Sequence, residues 1–144
     1  MLKNIPKVLS PELLKILSEM GHGDEVVIAD ANFPSENYGQ KVIRADGISG
    51  TQMLEAVLTV IPLDTYSDPN FMLMQLGPSD VGKVNPVIWK EYEQIARKLD
   101  GNLRKENMER FAFYERAKKA YCVIATGEEE QPIVRSCRLP LVSD

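Results

Sequence analysis

The chain contains a single histidine, His22, set in Gly21-His22-Gly23-Asp24. Imidazole is the side chain whose ordinary pKa lies nearest neutrality, so it can take a proton in one step and return it in the next. The flanking glycines permit a tight turn that leaves the ring accessible. Taken alone, these residues leave open the plainer reading of an incidental loop histidine. Asp30 closes the run Glu25-Val26-Val27-Ile28-Ala29-Asp30. Such a β-branched run predicts a strand buried on both faces, and ligand sites of open α/β sheets gather at the carboxyl ends of their strands. A turn-making aspartate explains Asp30 equally well. Asp24 precedes the strand and reads as a turn cap, which makes Asp30 the better companion for His22.

A third cluster is Arg110-Phe111-Ala112-Phe113-Tyr114-Glu115-Arg116-Ala117. Polyols are held by planar hydrogen-bonding groups together with apolar or aromatic faces, and this segment carries both. Its spacing favours the alternative of an amphipathic helix, with Phe111 and Phe113 in the core and Arg116 and Lys119 facing water.

Other chemistries find no support. Cys122 and Cys137 lack a CxxC spacing, and with one histidine they build no zinc site of the usual ligands. No metal and no cofactor are expected. Gly21-x-Gly23 precedes its strand rather than following one, which excludes a Rossmann dinucleotide loop. Ser49 in Gly47-Ile48-Ser49-Gly50 does not make a nucleophile elbow and reads as a helix cap. Cys122 falls in a predicted core strand, where a thiol behaves as a small hydrophobe. Glu128-Glu129-Glu130 reads as a solvated loop.

These groups must be positioned by a chain of 144 residues, 44 % hydrophobic, with 17 basic and 21 acidic residues and a net charge of −4. A chain of this length buries a sizeable core without disulfides. Its acidic balance, with no Lys/Arg cluster, argues against nucleic acid or an anionic membrane as partner. No stretch approaches the roughly 18 apolar residues of a bilayer span, and Met1 to Pro6 has no apolar run of signal-peptide length. A cytoplasmic protein is expected.

Ser10-Pro11-Glu12 predicts a helix start, and Leu13, Leu14, Leu17 and Met20 follow at helical spacing. Residues 32–39 read as loop, 42–47 as a short extended piece. A helix capped at Ser49 or Thr51 ends at Pro62. Phe71 to Leu76 suits a buried strand, broken by Gly77-Pro78. Asn85 and Pro86 open a further helix, Arg110 to Lys119 reads as helix, and Ala120 to Thr126 as a last buried strand closed by Gly127. Alternating strand and helix predicts a single α/β domain with a mostly parallel central sheet flanked by helices. From residue 132 the character changes. Pro132 and Pro140 argue that this segment is irregular and forms no regular central strand.

Read together, Met20 to Glu25, Ala29 to Pro34, Val42 to Gly47 and Arg110 to Ala117 resemble the ribose pyranase and fucose mutarotase family, closest to its fucose mutarotase branch. The match runs from Ser10 to about Gly127. It implies an α/β fold in a ring-based homo-oligomer, usually a decamer, that uses no metal or nucleotide and interconverts the anomers of a monosaccharide, L-fucose. Carried over by position, His22 is implied as the proton-transferring histidine, and Asp30 and Arg110 as sugar-binding residues. In that frame residues 1–131 form the mutarotase-like domain. Residues 132–144 are an atypical C-terminal segment, part of the same domain or irregular. The family's Tyr-x-Asn after Thr126-Gly127-Glu128 is replaced by Pro132-Ile133-Val134. A sugar-binding or assembly protein of reduced turnover, or a ribose pyranase-like activity, are the alternatives.

Overall fold

In a computed structural model, residues 2–66, 68–74, 87–128 and 136–140 are described. Local chemistry sets most element starts. Ser10 caps helix α1 (Pro11–Glu19), its hydroxyl accepting from the Leu13 amide at 3.1 Å, and Pro11 occupies the first turn where a missing N–H costs nothing. Strand β1 (Glu25–Ala29) follows, buried from Val26 onward. Residues 32–39 are not all loop, because a single turn of helix, α2 (Ser35–Tyr38), lies within them. Strand β2 (Val42–Ala45) leads to α3 (Gly50–Val60), which opens on a capping box between Ser49 and Gln52 and ends ahead of Pro62. Strand β3 (Phe71–Met74) is wholly buried. The predicted break at Gly77-Pro78 and the predicted cap at Asn85-Pro86 lie outside the described residues. Helix α4 (Val87–Leu99), strand β4 (Lys105–Met108), helix α5 (Arg110–Ala117), strand β5 (Cys122–Thr126) and strand β6 (Ser136–Pro140) follow among the described residues.

The six strands form one sheet in the order β2-β5-β1-β6-β3-β4. β1, β2 and β5 run parallel, as do β3 and β4, and β6 is antiparallel to both β1 and β3. Strands β1 to β5 therefore share one direction, and their carboxyl ends form a single edge of the molecule. Val26 and Ile28 point to one face, where α1, α3 and α4 supply Leu13, Leu17, Leu54, Val57 and Tyr92. Val27 and Ala29 point to the other, against Phe113, Tyr114 and Ala117 of α5. This is the expected domain: a mostly parallel sheet between helical layers.

Strand β4 carries no apolar alternation in sequence, because Lys105, Glu106 and Asn107 are exposed on an edge strand. One expectation is corrected. The tail does supply a central strand. β6 pairs Val26 with Leu139 and Leu73 with Cys137. Pro140 is its last residue, opposite Glu25, so the amide it lacks interrupts no interior pairing. Pro132 lies outside the described residues.

Candidate functional site

At the carboxyl edge, Asp30 leaves β1 buried. Its Oδ1 accepts from the Asn32 amide at 2.8 Å and its carbonyl from the Phe33 amide at 3.2 Å, an Asx turn that fixes the carboxylate. Thr126 ties the neighbouring exit, donating from Oγ1 to the Ala29 carbonyl at 2.7 Å. Gly127 follows where a Cβ would collide with the Asp46 carbonyl, so the exits of β2 and β5 approach only because this residue is glycine.

Arg110 is the first residue of α5. Glu109 caps that helix, accepting from the Ala112 amide at 2.9 Å. The amides of Phe111 and Ala112 hold the Glu109 carboxyl below the usual carboxylate range. Arg110 Nε donates to Tyr114 Oη at 3.2 Å, and its guanidinium lies 5.6 Å from the Tyr114 ring and 5.7 Å from that of Phe111. Tyr114 in turn meets Phe33 at 5.4 Å and Tyr38 at 5.2 Å. An aromatic wall thus joins Arg110 to the turn that holds Asp30. The core packing expected of Phe111 is corrected: Phe113 is fully buried while Phe111 is 67 % exposed. Residues two apart on a helix are separated by about 200°, so both cannot face one sheet.

His22 sits elsewhere, before β1, at the amino edge. The Gly21–Asp24 turn is closed by the Asp24 amide on the Gly21 carbonyl (3.1 Å) and by the Gly21 amide on Asp24 Oδ2 (2.9 Å), which makes Asp24 the turn cap its position predicts. Gly23 adopts φ 90°, a left-handed conformation that glycine takes without strain. The imidazole is 49 % exposed, and its Nδ1 lies 3.8 Å from Oδ1 of Asp64, within ion-pair reach but beyond hydrogen-bond length. Tyr66 meets it edge-on at 5.4 Å.

Asp64 is the residue that sequence reasoning missed. It is buried, and its Oδ1 accepts from the Tyr66 amide at 2.9 Å. Its carbonyl accepts from Asn70 Nδ2 at 3.0 Å and from Arg104 Nη2 at 3.3 Å. Asn70, fully buried, also takes the Arg104 amide on Oδ1 at 2.8 Å. The carboxylate is therefore held rigidly beside the imidazole. The sequence signal for it was only an aspartate following Pro62-Leu63, which spacing does not connect to His22. Within one copy Asp64, and not Asp30, faces the ring.

The structure thus brings Asp30 and Arg110 to one edge and leaves His22 at the other. A cavity of about 500 Å³, lined by Gly23, Glu25, Ala112, Glu115, Arg116 and Lys119, lies between the His22 loop and α5 and includes none of the three. Arg116 Nε donates to Glu25 Oε1 across it at 2.8 Å. Among the described residues no helix is long and apolar enough to cross a membrane.

Fold and clusters together define a small three-layer α/β protein with a histidine–aspartate pair at one sheet edge and Asp30, Arg110 and an aromatic wall at the other. Residues 3–131 match the RbsD / FucU transport protein family, and the chain belongs to it. The chain is 54 % identical over 131 residues to the fucose mutarotase of Mus musculus, covering 88 % of this chain and 86 % of that one. Among solved structures it is similar to the fucose mutarotase of Streptococcus pneumoniae in complex with L-fucose, with a TM-score of 0.87, 42 % identity and 97 % of each chain covered. FucU from Bifidobacterium longum superposes with a TM-score of 0.90 at 47 % identity, covering 99 % of each chain.

Proposed function

We propose that the protein is an isomerase that interconverts the α and β anomers of L-fucose by general acid/base catalysis. The observation that carries this reading is its likeness, over nearly the whole chain, to a fucose mutarotase bound to L-fucose.

Anomer exchange removes the proton of the anomeric hydroxyl as a proton reaches the ring oxygen. The ring opens to the aldehyde, the bond between C1 and C2 rotates, and the reverse transfers close the other anomer. His22 Nε2, facing away from Asp64, is the proton shuttle. Asp64 positions the ring by facing its Nδ1 at 3.8 Å. Asp30 accepts from sugar hydroxyls, and Arg110 donates to sugar oxygens. Such proton transfer supplies about 10²–10⁴-fold, useful for a reaction that already proceeds unaided and needs only hastening.

One copy cannot present all these groups to one sugar, because β1 separates His22 from Asp30. The reading therefore includes a homo-oligomer in which His22 of one copy meets Asp30 and Arg110 of the next, in a ring-based decamer, in the cytoplasm. Sedimentation at micromolar concentration tests the assembly, and a monomeric mass overturns it.

Saturation-transfer NMR on the anomeric protons tests the activity. Accelerated exchange on L-fucose supports the proposal. Binding without exchange turns the reading to a sugar-binding protein, the outcome favoured if Pro132-Ile133-Val134 cannot replace the family's Tyr-x-Asn. Preference for D-ribose turns it to a pyranase.

A further inference from the structure

We infer that Phe111 determines specificity by reading the C6 methyl group of a 6-deoxyhexose, an inference that rests on the anomerase reading above. Phenylalanine is a residue of protein interiors, yet Phe111 is 67 % exposed and belongs to neither hydrophobic core. Its ring stands edge-on to Tyr114 at 6.3 Å and 90°, and the Arg110 guanidinium lies 5.7 Å from its centroid. Tyr114 continues the wall to Phe33 and so to the Asp30 turn. An uncovered apolar surface and a hydrogen-bonding cation therefore stand side by side on the first turn of α5. Among the described residues the other large exposed aromatic, Tyr66, borders His22 instead.

L-Fucose matches this juxtaposition, since it offers ring hydroxyls to Arg110 and Asp30 and carries one apolar substituent, the methyl at C6. Two sugars isolate that group. D-Arabinopyranose has the same ring hydroxyl configuration and lacks the methyl carbon. L-Galactose places a hydroxyl on it, which an aromatic face cannot satisfy. One apolar carbon in a hydrophobic pocket discriminates by roughly 10–200-fold. Arg110 contacts are common to all three sugars, so a residue acting only through Arg110 changes all three alike.

The test compares the wild type, Phe111→Ala and Phe111→Leu on L-fucose, D-arabinose and L-galactose by anomeric exchange NMR, with sedimentation of each protein. The expected result for Phe111→Ala is an approximately tenfold loss of kcat/KM on L-fucose with less than about twofold loss on D-arabinose, and Phe111→Leu recovers most of the difference. Equal loss on both sugars, no loss on either, or loss accompanied by a smaller sedimenting mass overturns the inference. If the wild type exchanges none of the sugars, the anomerase reading fails by itself. The ratio of L-fucose to D-arabinose affinities in Phe111→Ala then decides the role of Phe111: a collapsed ratio supports it and an unchanged one overturns it.

Discussion

His22 and Asp30 stand at opposite ends of one strand. The five residues of β1 between the His22 turn and Asp30 span roughly 16 Å, which sets the imidazole and the buried carboxylate of one copy at opposite edges of the sheet. In the proposed assembly they meet across two copies.

Complementation follows from that geometry. His22→Asn removes the imidazole proposed as proton shuttle from a half-exposed turn and is expected to lower exchange by about 10²–10⁴-fold at saturating sugar, with little change in thermal midpoint. Asp30→Asn keeps an oxygen for the Asn32 amide and is expected to weaken sugar binding. Co-expressed, the two variants form some sites with both native groups, and activity recovers toward about one quarter of wild type for random pairing. Mixed assemblies no more active than the separate variants contradict a shared site.

Asp64→Asn retains the acceptor for the Tyr66 amide and removes the charge facing His22 Nδ1. Turnover is expected to fall roughly tenfold, about 1.4 kcal/mol in the barrier, while the sugar dissociation constant holds. Equal changes in both would place Asp64 in binding rather than in positioning.

Arg110→Lys keeps the charge but loses the planar fork and its Nε bond to Tyr114 Oη. Sugar affinity is expected to weaken about tenfold, close to the roughly 1.5 kcal/mol of one charge-assisted hydrogen bond. Calorimetric titration with L-fucose measures it, and unchanged affinity removes Arg110 from the site.

Burial pushes the Cys122 thiol from 9.0 up to about 12. The folded state thus keeps a proton that the unfolded chain releases, so the contribution is intact below pH 9 and is lost as pH rises from 9 through about 12. The slope approaches about 1.4 kcal/mol per pH unit inside that window. Urea unfolding at several pH values between these limits should give a flatter profile for Cys122→Ala than for wild type. Parallel profiles would mean that the thiol does not couple to folding.

Replacing Pro132 and Val134 by tyrosine and asparagine restores the Tyr-x-Asn pattern that the family resemblance leads one to expect. The double variant should bind L-fucose more tightly or turn it over faster, by roughly 1 kcal/mol for each hydrogen bond gained. If neither quantity changes while the fold survives, the native tail is functionally neutral.

Much of this molecule could be read from short stretches of chain. The Ser10 and Ser49 caps, the buried strand Glu25–Ala29, the helix beginning at Arg110 and the buried thiol of Cys122 all depend on contacts a few residues apart or on composition, and each is found where local chemistry predicts it. His22 and Asp30 stood out as candidates by side-chain type and turn setting, which are local properties, whereas Arg110 was singled out by the family resemblance.

Only the tertiary structure decided which of these groups meet. Sheet order inserts β6 between β1 and β3 although Pro140 within it and Pro132 before it argue against a strand, and backbone pairing with two neighbours outweighs that local preference. The same non-local pairing gives β4 its place despite a charged, exposed sequence. It sets Asp64 beside His22 through bonds from Asn70 and Arg104, three segments that no periodicity links. Rotation about the α5 axis leaves Phe111 uncovered once Phe113 has taken the core. A sequence specifies its hydrogen-bonding and apolar groups one at a time, whereas their distances follow from how the strands are ordered and how each helix is turned against the sheet.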